Sequence, residues 1–159
     1  MNRRNIFRLS AIAALGVALL PSSALAAQQS DIDAVKAAIA SFHAALSSLD
    51  IKKMEPVWAH ESYVTLINPQ DKGISVGQDA VKKNWQGMFK DYAELKVTPV
   101  DGPHIHIGGN VAWSTGLVQA DVKLKNGNAV SSNVFETDVF EKHGDQWQLV
   151  SHSALRATK

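Results

Sequence analysis

Val111-Ala-Trp-Ser-Thr-Gly-Leu-Val-Gln-Ala-Asp-Val-Lys-Leu124 runs into Asn126-Gly127, so a long β-rich segment meets the dipeptide that best supplies the positive φ angles of a type I′ hairpin turn. Val130 to Glu141 reads as the return strand, His143-Gly144-Asp145 as a second turn, and Trp147 to Leu155 as a third strand. Strands of this length exceed the usual ~5–6 residues, and the twist accumulated along them curls the sheet. A curled meander has a concave face that something apolar must fill.

The preceding segments supply that filling. From Ser30 onward, Ile32, Val35, Ile39, Phe42, Leu46 and Leu49 recur at intervals of three and four, an apolar stripe on a helix of about five turns. Ser30 and Asp33 are spaced as a capping box, and His43, beside the stripe, reads as a partly exposed boundary residue. Asp50 caps a second, short helix in which Ile51, Met54 and Trp58 face one way, interrupted by Pro56 and ending near Ala59. Tyr63-Val-Thr-Leu-Ile67 reads as a short strand, followed by a loop through Asn68-Pro69 and Lys72-Gly73. After Gly77 a third helix carries Val81, Trp85, Met88 and Tyr92 on one face. Glu94 to Val100 and His104 to Ile107 read as strand, interrupted by Pro99 and Asp101-Gly-Pro103, which predicts a bulge or corner.

The first 26 residues stand outside this pattern. Arg3, Arg4 and Arg8 flank the start of the uncharged run Leu9 to Leu20, and Ala24-Leu-Ala26 is the small-x-small pattern a signal peptidase reads. Residues 1–26 are therefore expected to be a cleaved signal peptide and 27–159 a single periplasmic or secreted domain. The apolar run is about twelve residues, short of the ~20 that span a bilayer, so no membrane association is expected after cleavage. Cleavage removes three of the 16 Lys+Arg and none of the 15 Asp+Glu, which takes the formal charge from +1 to −2 over 133 residues. No basic surface for nucleic acid remains. The chain has no cysteine, so stability rests on the core and on oligomerisation rather than on disulfides.

Helices first and long antiparallel strands after them define an α+β architecture, one strongly bent sheet wrapped around N-terminal helices. Within that order, four stretches carry a resemblance: Val57-Trp-Ala-His-Glu-Ser-Tyr-Val-Thr65, Gly77-Gln-Asp-Ala-Val81, Gly109-Asn-Val-Ala-Trp-Ser-Thr-Gly116 and Thr137-Asp-Val-Phe-Glu-Lys-His-Gly-Asp-Gln-Trp-Gln-Leu-Val150. With the leading amphipathic helix, they resemble the SnoaL-like branch of the nuclear transport factor 2-like (ketosteroid isomerase-like) superfamily, from about Ser30 to Arg156. The resemblance implies a cone-shaped fold with a curved mixed or antiparallel sheet, one enclosed pocket and, commonly, a homodimer packed through the sheet. The superfamily spans ketosteroid isomerases, polyketide cyclases, dehydratases, epoxide hydrolases and non-catalytic binding or assembly domains, so the fold alone names no reaction.

Aromatic walls with a few polar groups suit a small apolar ligand. Trp58, Tyr63, Trp85 and Trp113 are the candidate pocket lining; Trp147, beside a turn, reads as core. His60 and His152 are the candidate catalytic residues, because each follows or lies within an apolar element and histidine exchanges protons near neutral pH. In the last strand, strict alternation puts Val150, His152 and Ala154 on one face and Leu149, Ser151 and Ser153 on the other. Glu136 and Asp138 share a face with Val134 and Phe140, which leaves open whether one enters the pocket or both belong to a salt-bridged outer face, the ordinary arrangement. His104-Ile-His106 places two imidazoles on one strand face, but two ligands without a third are not a metal site. Neither a metal nor an organic cofactor is expected.

Catalytic sets known from the superfamily do not map onto the chain. An arginine between two aspartates, the epoxide hydrolase arrangement, cannot be built when Arg156 is the sole arginine after residue 26, and Tyr63 and Tyr92 match no ketosteroid isomerase motif. With no acid/base pair visible, the sequence favours a pocket protein that binds a small hydrophobic molecule. The alternative is a cofactor-independent isomerase, cyclase or dehydratase that uses a histidine as general acid/base. The observation that separates them is whether His60 or His152 lies in a cavity within hydrogen-bond reach of a carboxylate.

Overall fold

The computed structural model describes residues 22–158; the basic and apolar parts of the expected signal peptide lie outside the described residues. Helix α1 (Ser22–Ser48) is followed by α2 (Ile51–Met54), a 3-10 turn (Glu55–Val57), strands β1 (Thr65–Ile67) and β2 (Ser75–Val76), helix α3 (Gln78–Asp91), and the four long strands β3 (Tyr92–Gly108), β4 (Val111–Leu124), β5 (Ala129–His143) and β6 (Gln146–Arg156). Among the described residues no helix is long and apolar enough to cross a membrane.

Helix α1 buries Val35, Ile39, Phe42 and Leu46 of the expected stripe, with Ala45 beside them, and leaves Ile32 and Leu49 half-buried. Its start differs from expectation. The helix passes through Ser30 without a break, so Ser30 and Asp33 form no capping box; Asp33 instead accepts a hydrogen bond from Gln29 Nε2 at 3.1 Å, one turn back. Ala24 to Ser30 is helical yet exposed, carried by the high helix propensity of its alanines and glutamines rather than by packing. Leu49 ends the helix in the left-handed region, with φ of 53°. Asp50 then caps α2, accepting from the Lys52 amide at 2.9 Å, and Pro56 sits in the first turn of the 3-10 segment, where its missing N–H costs little.

The six strands form one curved, unclosed sheet in the order β2-β1-β6-β5-β4-β3, antiparallel except for the parallel pairing of β1 with β6. Helices α1 and α3 pack on its concave face, where Phe42, Trp85, Phe140 and Leu149 meet in the main core. Three details depart from simple alternation. The expected interruption around Asp101-Gly-Pro103 is a bulged stretch within a single continuous β3, with register shifts on both sides of Asp101. A Cβ on Gly102 would lie 2.9 Å from the Thr115 carbonyl oxygen, and its φ of 86° reinforces the need for glycine. The Asn126-Gly127 connection is not a two-residue type I′ turn: β4 ends at Leu124, β5 begins at Ala129, and only Gly127 has positive φ, so a four-residue loop joins them. Finally, β5 and β6 slip register between Val139 and Phe140, which pairs Phe140 with Leu149 and His152 with Asp138. The bulge changes the phase of β6, so both Leu149 and Val150 are buried, against the strict alternation expected from the sequence.

Candidate active site

Strand register lays side chains in rows across the concave face. Ser114 of β4, Asp138 of β5 and His152 of β6 form one row; Gly116, Glu136 and Ala154 form the next; Val118, Val134 and Arg156 the next. Both acidic residues therefore point inward, and the salt-bridged outer face is not what forms.

His152 Nδ1 donates to Asp138 Oδ1 at 2.7 Å, with His152 only 3% and Asp138 2% exposed. Because the carboxylate can only accept, the proton sits on Nδ1, and Nε2 has no hydrogen-bond partner among the described residues. Phe42 meets the imidazole edge-on with centroids 4.9 Å apart, and Trp85 lies at 6.1 Å. Burial acts to lower the His152 pKa, but the Asp138 carboxylate, by charge and by hydrogen bond, together with the charges of Glu136 and Asp71, outweighs it, and the group is held above the ordinary 6.5.

A second pair lies beside the first. His43 Nε2 is 2.9 Å from Glu136 Oε2, so the partly exposed imidazole expected beside the stripe also reaches the concave face. Glu136 lies on the border of two adjoining cavities. One, of about 190 Å³, is lined by Trp85, Tyr92, Val118, Glu136, His152 and Arg156 among mainly aliphatic neighbours. The other, of about 450 Å³, is bounded by His43, Pro99, Asp101, Ser114, Glu136 and Asp138. Val97, Val118 and Glu136 belong to both walls. Gly116, opposite Glu136, lets the β3 bulge approach: a Cβ there would lie 3.2 Å from the Asp101 carbonyl oxygen.

Of the residues singled out in the sequence, the structure brings together His152 and Trp85. Trp58 is buried 6.5 Å from Trp85 but faces a gap of only about 30 Å³ with Met54 and Val64, a core position. His60 is exposed. Tyr63 is exposed as well and donates to Glu141 Oε2 at 2.6 Å, a hydrogen bond that pushes its phenol up to about 12. Trp113 stands on the outer face, 45% exposed and stacked on His106 at 4.2 Å, because its strand neighbours Ala112 and Ser114 are the ones that turn inward. His60, Tyr63 and Trp113 thus lie away from both cavities. His104 is exposed beside Asp101, and among the described residues no three His, Cys, Asp or Glu side chains converge in a metal-binding group. Sequence reasoning passed over His43 and left Glu136 and Asp138 undecided. The available signal was that Val134 and Phe140, apolar and on the same face, already marked that face as inward.

A bent six-stranded sheet over two helices, with ionisable groups on its concave face, is the nuclear transport factor 2-like architecture. The SnoaL-like domain description matches residues 35–154, and the chain belongs to that family. A proposed dehydratase of the nuclear transport factor 2-like family from Streptomyces avermitilis superposes with a TM-score of 0.74 at 20% identity, covering 82% of this chain and 99% of that one. A nuclear transport factor 2-like superfamily protein from Salmonella enterica serovar Typhimurium gives 0.73 at 17% identity, over 87% and 95% of the two chains. A type 2 hexachlorocyclohexane dehydrochlorinase gives 0.70 at 10% identity, over 82% and 88%. At such identities the likeness is one of fold. No curated protein matches the chain.

Proposed function

We propose that the chain is a cofactor-independent acid–base enzyme of the lyase or isomerase kind that acts on a small, largely apolar molecule. The observation that carries this reading is the buried His152 on the wall of an apolar cavity, held from behind by Asp138 and with Nε2 unpartnered among the described residues. The binding-module reading rested on the lack of a visible acid/base pair, and the pair removes that ground. In the neutral imidazole, Nε2 takes a proton from a carbon adjacent to a carbonyl or one bond from a leaving group. The electrons of the broken C–H bond form a carbon–carbon double bond, and either the carbonyl oxygen takes up charge or the leaving group departs. Asp138 orients the ring and stabilises the imidazolium, whose Nε2–H then returns the proton to the enolate at another carbon or to the departing group. That proteins of similar fold are named for dehydration and dehydrochlorination agrees with this as analogy only.

The test is deuterium incorporation from D₂O, and elimination, across a panel of small β-hydroxy and β-halo carbonyl compounds. His152→Gln is expected to lower the rate by roughly 10²–10⁴, with an unchanged circular dichroism spectrum, and His60→Gln to leave it alone. If wild type shows no rate above the buffer blank across the panel, the pocket is a binding site and the enzymatic reading fails. The protein is further proposed to work in the periplasm or outside the cell after cleavage following Ala26. Mass spectrometry of the native protein should find its N-terminus at Ala27 or within a residue or two, and an intact Met1 would refute export by this route.

A further inference from the structure

We infer that the molecule bound beneath His152 is a small apolar carboxylic acid, and that Arg156 anchors its carboxylate. The inference rests on the smaller cavity being the ligand site, as proposed above, and adds the substrate class. Arg156 is the last residue of β6, pairs with Val134, and lies on the same strand face as His152, four residues or about 13 Å along the strand at ~3.3 Å per residue. It lines the same cavity as His152 but at the exposed end. Among the described residues its side chain makes no ion pair or hydrogen bond. Between the two ends the wall is aliphatic, with Leu95, Val118, Val122 and Val134.

Arg156 is the cation at the mouth of this cavity, whereas at the His152 end Glu136 and the Asp138 behind the ring already hold imidazoles. Two further carboxylates act near the mouth: Asp91, whose charge reaches Tyr92, and Asp71, which accepts from the Asn68 amide at 2.8 Å and from Asn84 Nδ2 at 2.9 Å. A carboxylate is received at the mouth by a planar guanidinium that matches it two bonds at a time, which turns the other end of the molecule toward Nε2. Tyr92 reaches the same mouth. Burial raises its pKa, with the Arg156 charge acting the other way, so its hydroxyl stays a neutral donor available to the same carboxylate. A cationic ligand meets repulsion at the mouth, and a neutral one leaves the guanidinium unused. The volume of about 190 Å³ limits the body to one ring or a short chain, since a 150 Å³ apolar cavity holds benzene.

Calorimetry with 3-phenylpropanoate and its neutral isostere 3-phenylpropanamide tests this on the intact protein. Wild type is expected to bind the anion at least tenfold more tightly than the amide. Arg156→Gln is expected to weaken the anion by roughly ten- to a hundredfold, the range of a hydrogen bond to a charged group, and to leave the amide unchanged, which also shows that the variant is folded. Arg156→Lys should restore part of the preference. Equal binding of the two probes by wild type, equal loss of both in Arg156→Gln, or binding of neither overturns the assignment. His152→Gln is expected to keep the preference for the anion. If it keeps that preference while no variant or wild type shows turnover, the acid–base reading fails and the anion anchor stands.

Discussion

His152 is expected to impose a pH dependence on stability and, under the proposed function, on turnover. The fold raises its pKa above 6.5, so the native state favours the protonated ring. Its contribution to stability is complete below the unfolded value of about 6.5 and is lost as pH rises through the folded midpoint. Urea midpoints should therefore decline from pH 6 into the alkaline range, more steeply for wild type than for Asp138→Asn. The ring resonances of His152 should titrate above 6.5 by NMR, and move down in Asp138→Asn; a midpoint at or below 6.5 in wild type would remove the carboxylate's assigned role. The same shift places the base-catalysed limb of any turnover above the value of free imidazole, because Nε2 accepts a proton only after the ring is neutral. Residue identities announced part of this. His152 stood out because an ionisable group sits in an apolar strand. His43 did not, because helical periodicity ranks residues by distance from the stripe and cannot tell a boundary position facing solvent from one facing a cavity. Trp113 and Tyr63 misled for the complementary reason: an aromatic on a strand marks one face, and only register against its neighbours says which.

The elements were more legible than their edges. Turn signals and the length of the β-rich runs gave the meander, and an apolar period gave α1 and α3, because those patterns reflect burial directly. The two-residue strand β2 is too short for a period, the exposed turns of α1 from Ala24 to Ser30 bury nothing that patterning could detect, and the bulge at Val150 breaks a period of two in a single step. Each is decided by backbone pairing rather than by composition. One connection shows how narrow the backbone tolerance is. At Gly102 a Cβ would meet the Thr115 carbonyl oxygen at 2.9 Å in a backbone with φ of 86°, so Gly102→Ala is expected to cost about 1–3 kcal/mol in urea unfolding, as strained backbone does. Gly73→Ala, with nothing within 4 Å and no positive φ, is the control, and an equal effect of the two would show that the bulge is not the cause. In the core, Trp85→Ala removes a side chain only 1% exposed that packs on Phe42, Trp58 and Phe89, with an expected loss of about 3–5 kcal/mol.

At the scale of the molecule, the sheet has two faces and the described helices cover one. On the other, Leu117, Phe135 and Leu155 are directly paired across β4, β5 and β6, and Phe135 and Leu155 are 54% and 62% exposed. Trp113 adds an exposed ring further along β4. A contiguous apolar row on the open face of a sheet marks an interaction surface, and a chain without cysteines gains stability from covering it. We expect two copies to pair through this face, burying the roughly 1,200–2,000 Å² of an ordinary stable interface. Light scattering at micromolar concentration should give twice the chain mass for wild type and the single mass for Phe135→Lys, which places a charge in the middle of the row. Because His152, Asp138 and both cavities open on the concave side, the single-mass variant should keep its affinity for 3-phenylpropanoate. A wild-type protein of single mass would leave the exposed row without its proposed partner. Loss of the ligand together with the dimer would mean that the outer face holds the inner one in shape.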